Sequence, residues 1–215
     1  MKKLKVPAYD WRVVKELKRY ALTTKAKDPW GQGKNSSKAF KREMTKLMLV
    51  EQSKRCGYCG CRLFEKRPHR DHIAPKEDYQ QWMFWPENLV LSCFTCNTDL
   101  KKSFDPVVTM GSTYRLTEFS FVHPYIDTPT DHIVFTSGDL ELIIQEKNGS
   151  LKGKKTIEIF DLASVERSKQ RAKDIMHDDD VEHLQGDYRE LLENAIEALQ
   201  KKLVKVKTRF PRPGD

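Results

Sequence analysis

The sequence predicts an α+β fold in which two short strands and a helix are stapled into one small unit, with further helices and a hairpin around it. Three observations carry this. Two Cys-x-x-Cys pairs, Cys56/Cys59 and Cys93/Cys96, are separated by 33 residues. Between them lie two segments of strand character, one ending near Asp71-His72-Ile73 and one at Leu89-Val90-Leu91. Outside them, apolar residues recur at helical spacing, first among lysines and arginines and again toward the C-terminus.

The cysteine spacing sets the chemistry of that unit. Each pair can close on one side of a metal through a tight knuckle, and two pairs complete the tetrahedral thiolate site that zinc prefers, so Cys56, Cys59, Cys93 and Cys96 are read as ligands of a structural Zn2+. Disulfides are the alternative, but five cysteines are an odd number and the knuckle spacing favours a metal. Four thiolates close the coordination shell, so a metal-assisted reaction would need a second ion on oxygen or nitrogen ligands, for which Asp71 and Asn97 are the candidates.

The 215 residues, 38% of them hydrophobic, are enough for a packed core. The first seven residues begin basic but no apolar run follows, and no stretch approaches the roughly 18 apolar residues of a membrane span, so a reducing cytoplasm is the expected compartment. The net charge of +8 is unevenly spread, since residues 1–70 hold 20 Lys/Arg against 6 Asp/Glu and residues 71–215 hold 19 against 25. A basic segment leading into a candidate site suits a polyanion, whose counterions are released on binding; a solvated basic face is the plainer reading.

In chain order, residues 12–22 place Val13, Leu17 and Tyr20 on one side of a short basic helix. A turn-rich loop over 23–37 contains Trp30, for which the sequence offers no role. A second helix is expected from Ser37, with its hydroxyl as N-cap, to about Arg55, with Phe40, Met44, Leu47 and Met48 inward. Its other stripe carries Lys38, Lys41, Arg42, Lys46 and Lys54, which could follow a phosphate backbone or face water.

The order strand, strand, helix, with Asp71-His72-Ile73-Ala74-Pro75, Asn88-Leu89-Val90-Leu91 and Cys93-Phe94-Thr95-Cys96-Asn97, resembles the signature of HNH endonucleases and their ββα-metal fold over about 45 residues. The resemblance implies His72 as general base, Asp71 and Asn97 as ligands of a catalytic Mg2+ or Mn2+, and Asn88 as the brace of the loop bearing His72. Family members often carry a lysine three residues past the Asn97 position; here Lys101 and Lys102 follow one residue later, and with Lys38, Lys41 and Arg42 they are the candidate nucleic-acid contacts.

The remaining expectations are structural. Tyr79, Trp82, Phe84 and Trp85 should pack over the unit, and His69, two residues before Asp71, is either a further ligand or phosphate contact or a solvent-facing residue. His132–Phe135 and Leu140–Gln145 read as a hairpin across Ser137-Gly138-Asp139, Thr156–Phe160 as another strand, and Ala163 to His177 as a helix. Beyond an acidic break at Asp178–Asp180, Leu184, Tyr188, Leu191, Leu192, Ile196, Leu199 and Leu203 form a helical stripe that must be covered, by the chain itself or by a partner. The domains expected are a basic helical region over 1–55, the metal-stapled core over 56–106, an extension over 107–205 with a candidate partner-binding surface, and a tail over 206–215.

A looser resemblance rests on the basic start, Phe104-Asp105-Pro106, His123-Pro124-Tyr125-Ile126-Asp127 and Thr156-Ile157. It is to the HNH subunits of Septu-type and retron-associated defence systems, and it implies an ATPase partner of the ABC/SMC type. The function expected is metal-dependent endonuclease activity in anti-phage defence, with DNA favoured over RNA. The rivals are a zinc-stabilised module that binds without cutting and an HNH nuclease acting on RNA such as transfer RNA.

Overall fold

The computed structural model describes residues 1–26, 28–31, 33–63, 68–136 and 142–176, with Asn194 and Glu197. The turn at Ser137–Asp139, the acidic break at Asp178–Asp180, the stripe from Leu184 to Leu203 and the tail lie outside the described residues.

Helix α1 (Trp11–Thr23) begins at Asp10, whose carboxylate accepts the Arg12 backbone N–H and so satisfies one of the unpaired donors of the first turn. Its inner face is Val14, Leu17 and Ala21 rather than Val13 and Tyr20, which are only partly buried. Helix α2 (Asn35–Glu51) starts two residues earlier than expected and ends four earlier. Ser37 is therefore not its cap: Lys34 precedes the helix without a side-chain cap bond, and Ser37 is buried inside the first turn. The early end has a backbone cause, because Ser53 and Lys54 take left-handed φ values of 51° and 54° and turn the chain into the first knuckle.

The hairpin follows. Strands β1 (His69–His72) and β2 (Leu89–Ser92) pair antiparallel, with Asp71 opposite Val90 and His72 opposite Leu89. A helical turn of π type, Thr95–Lys101, completes strand, strand, helix. Because side chains alternate along a strand, β2 feeds two cores. Leu89 and Leu91 join Val14, Leu17, Phe40, Met44, Met48 and Phe84 on the α1/α2 side. Val90 joins Cys56, Tyr58, Phe121, Tyr125 and Phe160 on the other. The aromatic segment packs as expected, with Trp82 and Phe84 buried.

Downstream, β3 (Val107–Thr109) pairs with β4 (Glu118–Phe119), and β5 (Ile133–Phe135) with β6 (Ile144–Glu146); the second pair joins the two segments expected as a hairpin, with its second strand at Ile144–Glu146 rather than Leu140–Gln145. The expected strand at Thr156–Phe160 is instead part of helix α3 (Leu151–Ile159). Ser150 caps it by accepting the Gly153 N–H, and Thr156 is tolerated inside because its hydroxyl donates to Lys152 O and accepts the Val122 N–H. These local bonds override the β-branched bias that suggested a strand. Helix α4 (Val165–Met176) returns across the knuckles. No helix among the described residues is long and apolar enough to cross a membrane.

Candidate active site

The four thiols of Cys56, Cys59, Cys93 and Cys96 converge, all within 4.8 Å of one another. Cys59 Sγ and Cys93 Sγ are 3.8 Å apart. A tetrahedron with zinc–sulfur bonds of about 2.3 Å has edges of about 3.8 Å, so the cluster has the size and donor chemistry to hold zinc. The sulfurs also receive N–H donors, as thiolates require: Cys93 N reaches Cys56 Sγ and Cys96 N reaches Cys93 Sγ, each at 3.4 Å. From α4, Arg167 donates to Cys96 Sγ at 3.4 Å and Cys59 Sγ at 3.6 Å, a guanidinium that would offset the excess negative charge of four thiolates on a zinc ion. Gly57 lets the knuckle lie on β2, because a Cβ there would come within 2.2 Å of Val90 Cγ2. Cys61, the fifth cysteine, is not one of these four, although its thiol borders those of Cys56, Cys59 and Cys93.

Asp71 faces the side of the hairpin that meets the first knuckle and is buried. Tyr58, inside the first knuckle, donates to Asp71 Oδ2 at 2.5 Å, and Lys101 Nζ lies 3.4 Å from Oδ1 and 3.3 Å from Oδ2. Burial raises the Asp71 carboxyl above its usual range, against the opposing pull of Lys101 and Tyr58. Lys101 also donates to His72 O at 2.8 Å and is only 2% exposed, which corrects its expected place among surface nucleic-acid contacts. The π geometry explains how it gets there. Lys102 N bonds Asn97 O, five residues back, and this widened turn takes up the extra residue between Asn97 and the lysine.

Replacing Lys101 with methionine should therefore cost stability rather than affinity. A buried carboxylate left without its cation is expected to lower stability by about 3 kcal/mol in urea unfolding, with the salt dependence of nucleic-acid binding unchanged. Parental stability would reject the pairing as drawn.

His72 faces the α2 side. Its Nε2 is 2.9 Å from Met83 O, so the ring donates there and the neutral form keeps its lone pair on Nδ1. Burial pushes the imidazole down to about 3, lower than the near-neutral value a base would ideally have, and keeps it uncharged. Trp30, unexplained by sequence, meets the ring edge-to-face with centroids 4.4 Å apart and packs on Phe84. Asn88 is fully buried and clamps the next turn: its Oδ1 accepts Ala74 N at 2.7 Å, and its Nδ2 donates to Ala74 O at 3.0 Å and Trp82 O at 3.2 Å.

Asn97 stands on the π turn with its Nδ2 3.1 Å from His69 Nδ1, so His69, which is only partly buried, is tied to the site. Asp71 shares a strand face with His69, two residues away, so its carboxylate is on the side of the hairpin that carries the His69–Asn97 pair. These are donors that a divalent cation accepts, while Lys101 supplies positive charge at the carboxylate. Beside them lies a cleft of about 270 Å³ lined by Trp30, Pro68, His69 and Arg70. Of the basic stripe, Lys38 and Arg42 are exposed, whereas Lys41 is half-buried and donates to Trp30 O at 2.6 Å. Lys102 is exposed.

Sequence reasoning missed Tyr58, Arg70 and Arg167, as well as two further residues, Tyr114 and His123, that reach Asn88 one through the other (Tyr114 Oη to Asn88 Oδ1 at 3.0 Å, His123 Nε2 to Tyr114 Oη at 2.8 Å). The position of Tyr58 within Cys56-Gly57-Tyr58-Cys59 was a usable signal, as was the His123–Asp127 stretch; nothing in α4, which has two arginines and two lysines, singles out Arg167.

Residues 56–103 match the family model for HNH endonucleases. Over 181 residues the chain is 29% identical to a protein of Bacillus mycoides (strain KBAB4) named Septu protein PtuB, covering 74% of this chain and 59% of that protein. The chain thus spans less than two thirds of that relative's length.

Proposed function

We propose that this chain, which carries an HNH endonuclease domain at residues 56–103, hydrolyses phosphodiester bonds of nucleic acid, DNA in preference to RNA, as part of anti-phage defence. The observation that carries the reading is His72: a neutral imidazole whose Nε2–H is committed to Met83 O, with Nδ1 left to accept a proton and Asn88 clamping the turn beside it. A binding module has no need of a histidine held in one tautomer.

In the reaction, Nδ1 of His72 takes a proton from the attacking water as the water adds to phosphorus, and the 3′ oxygen departs. Met83 O fixes the ring and stabilises its protonated form through the Nε2–H bond. Asp71 and Asn97 would hold magnesium or manganese, which supplies Lewis acidity for the phosphate and for the departing oxygen. Lys101 ties Asp71 to the His72 carbonyl, so the two signature side chains keep one relative position. The four cysteines would hold zinc as a staple, with no open position for a reacting water.

The cationic surface beside the cleft would bind the phosphate backbone, with target choice left to a partner. Replacing the exposed Lys38 and Arg42, together with Arg70 at the cleft, by glutamine should flatten the dependence of log affinity on log salt by about 0.9 for each phosphate no longer neutralised. Titrations from 50 to about 200 mM salt measure it, and an unchanged slope would move the phosphate-binding surface elsewhere.

An ABC/SMC-type ATPase partner and a cytoplasmic setting complete the reading, supported by the Septu-like stretches and the 29% identity to a Septu protein. The deciding experiment is co-expression with neighbouring gene products, followed by size-exclusion chromatography and cleavage assays on plasmid DNA and transfer RNA with magnesium or manganese. DNA cleavage by a two-component complex is the expected result. Faster transfer RNA cleavage would favour the RNA reading, and binding without cleavage in every combination would favour the non-catalytic one.

A further inference from the structure

We propose that Tyr114 and His123 are positioning residues of the HNH site: a buried hydrogen-bonded chain from His123 through Tyr114 to Asn88 sets the turn that follows His72. Its catalytic consequence rests on the nuclease reading; its structural part does not.

The direction of every bond in the chain is fixed from its far end. The backbone N–H groups of Tyr125 and Ile126 point at His123 Nδ1 from 3.2 and 3.3 Å, so Nδ1 is an acceptor. The proton of the neutral ring is then on Nε2, which donates to Tyr114 Oη at 2.8 Å. That leaves the Tyr114 O–H to donate to Asn88 Oδ1 at 3.0 Å. Asn88 Oδ1 is thereby identified as the oxygen and Nδ2 as the amide that donates to Ala74 O and Trp82 O. The reversed amide would meet a donor with a donor at Ala74 N and at Tyr114.

Tyr114 is 3% exposed and Asn88 and His123 are fully buried, so water cannot replace a missing partner. Burial also holds His123 down to about 3, which keeps the ring neutral and its two nitrogens distinct. The loop is itself braced: His123 N donates to Asp127 Oδ2, Lys152 pairs with Asp127 at 2.9 Å, and Leu4 N donates to Pro124 O. A second fastening runs beside the first. Tyr125 Oη donates at 2.8 Å to the carbonyl of Leu89, which follows Asn88 and lies opposite His72 in the hairpin. The stretch His123-Pro124-Tyr125-Ile126-Asp127 therefore grips both residues that locate the His72 turn, which gives this part of the extension a role inside the site.

The test is Tyr114→Phe in the full chain, which removes one hydroxyl and keeps the ring packing. Amide hydrogen exchange at Ala74, whose N–H is received by Asn88 Oδ1, should quicken about fivefold or more relative to Leu91, whose N–H goes to Gln52 instead. A general loss of stability would quicken both together, and an unchanged ratio overturns the proposal. In cleavage assays the rate at saturating nucleic acid should fall about tenfold, with affinity kept within about twofold. In an Asn88→Ala background the same substitution should add no further loss, because the chain acts only through Asn88. His72→Ala separates the two readings. If His72→Ala is inactive and Tyr114→Phe cleaves at the parental rate, the positioning role fails. If His72→Ala cleaves like the parent, the assignment of His72 as base fails, and the exchange ratio alone judges the chain.

Discussion

His72→Ala is expected to lower the cleavage rate by about 10² to 10⁴, the usual contribution of a general base, while nucleic-acid affinity stays close to that of the parent. Affinity should survive because the imidazole sits beneath Trp30, only 7% exposed, while the phosphate contacts are assigned to the lysines and arginines around the cleft. The fold should survive at a cost. Alanine leaves Met83 O without its donor and opens space beside Trp30, a loss of about 1 to 3 kcal/mol, so the comparison belongs well below the melting temperature. His72→Gln is the sharper variant, because its amide can still donate to Met83 O yet has no lone pair of comparable basicity to offer water. Cleavage by either variant within tenfold of the parent would remove His72 from the role of base. Parallel loss of affinity would instead assign it to binding.

What could be read in advance divides by the range of the interaction. The four thiols, the β1/β2 hairpin and the turn after Cys93 follow from spacing over fewer than 50 residues, and the structure brings them together as spacing implied. Errors came where a local cue was outvoted. Ser37 has the right chemistry for a cap, but the helix starts before it, and the β-branched residues of Thr156–Phe160 were turned helical by the Ser150 cap. An α-helical phase would leave Lys101 at the surface, and one widened turn buries it on Asp71. The unread parts are bonds across long separations. Arg167 reaches back 71 residues to Cys96 and Tyr125 reaches back 36 to Leu89, and nothing periodic in a sequence encodes such a pairing. The candidate site is thus legible as a constellation, while the groups that hold it rigid become visible only in three dimensions.

Those groups make zinc removal the other large effect. Purified protein is expected to contain one equivalent of zinc by elemental analysis, and a strong chelator or Cys59→Ser should unfold the region around residues 56–103 rather than merely loosen it. Structural zinc sites contribute on the order of 10 kcal/mol or more, against a total stability of about 5 to 15 for a domain, so little is left when the metal goes. The loss should spread along the contacts that begin at the knuckles. Tyr58 is held between Cys56 and Cys59, stacks on Phe160 with centroids 4.2 Å apart and donates to Asp71, so the carboxylate, the α3 side of the core and the first knuckle should fail together. Arg167 should lose its thiolate acceptors at the same moment, releasing α4. Cys61→Ser is the companion variant: Cys61 is not one of the four converging thiols, although its thiol touches those of Cys56, Cys59 and Cys93, so its replacement should leave one equivalent of zinc bound. Less than half an equivalent of zinc after metal-free purification, or a Cys59→Ser protein that melts like the parent, would mean that the cysteines pack without a metal and that the hairpin is held by its two apolar cores alone.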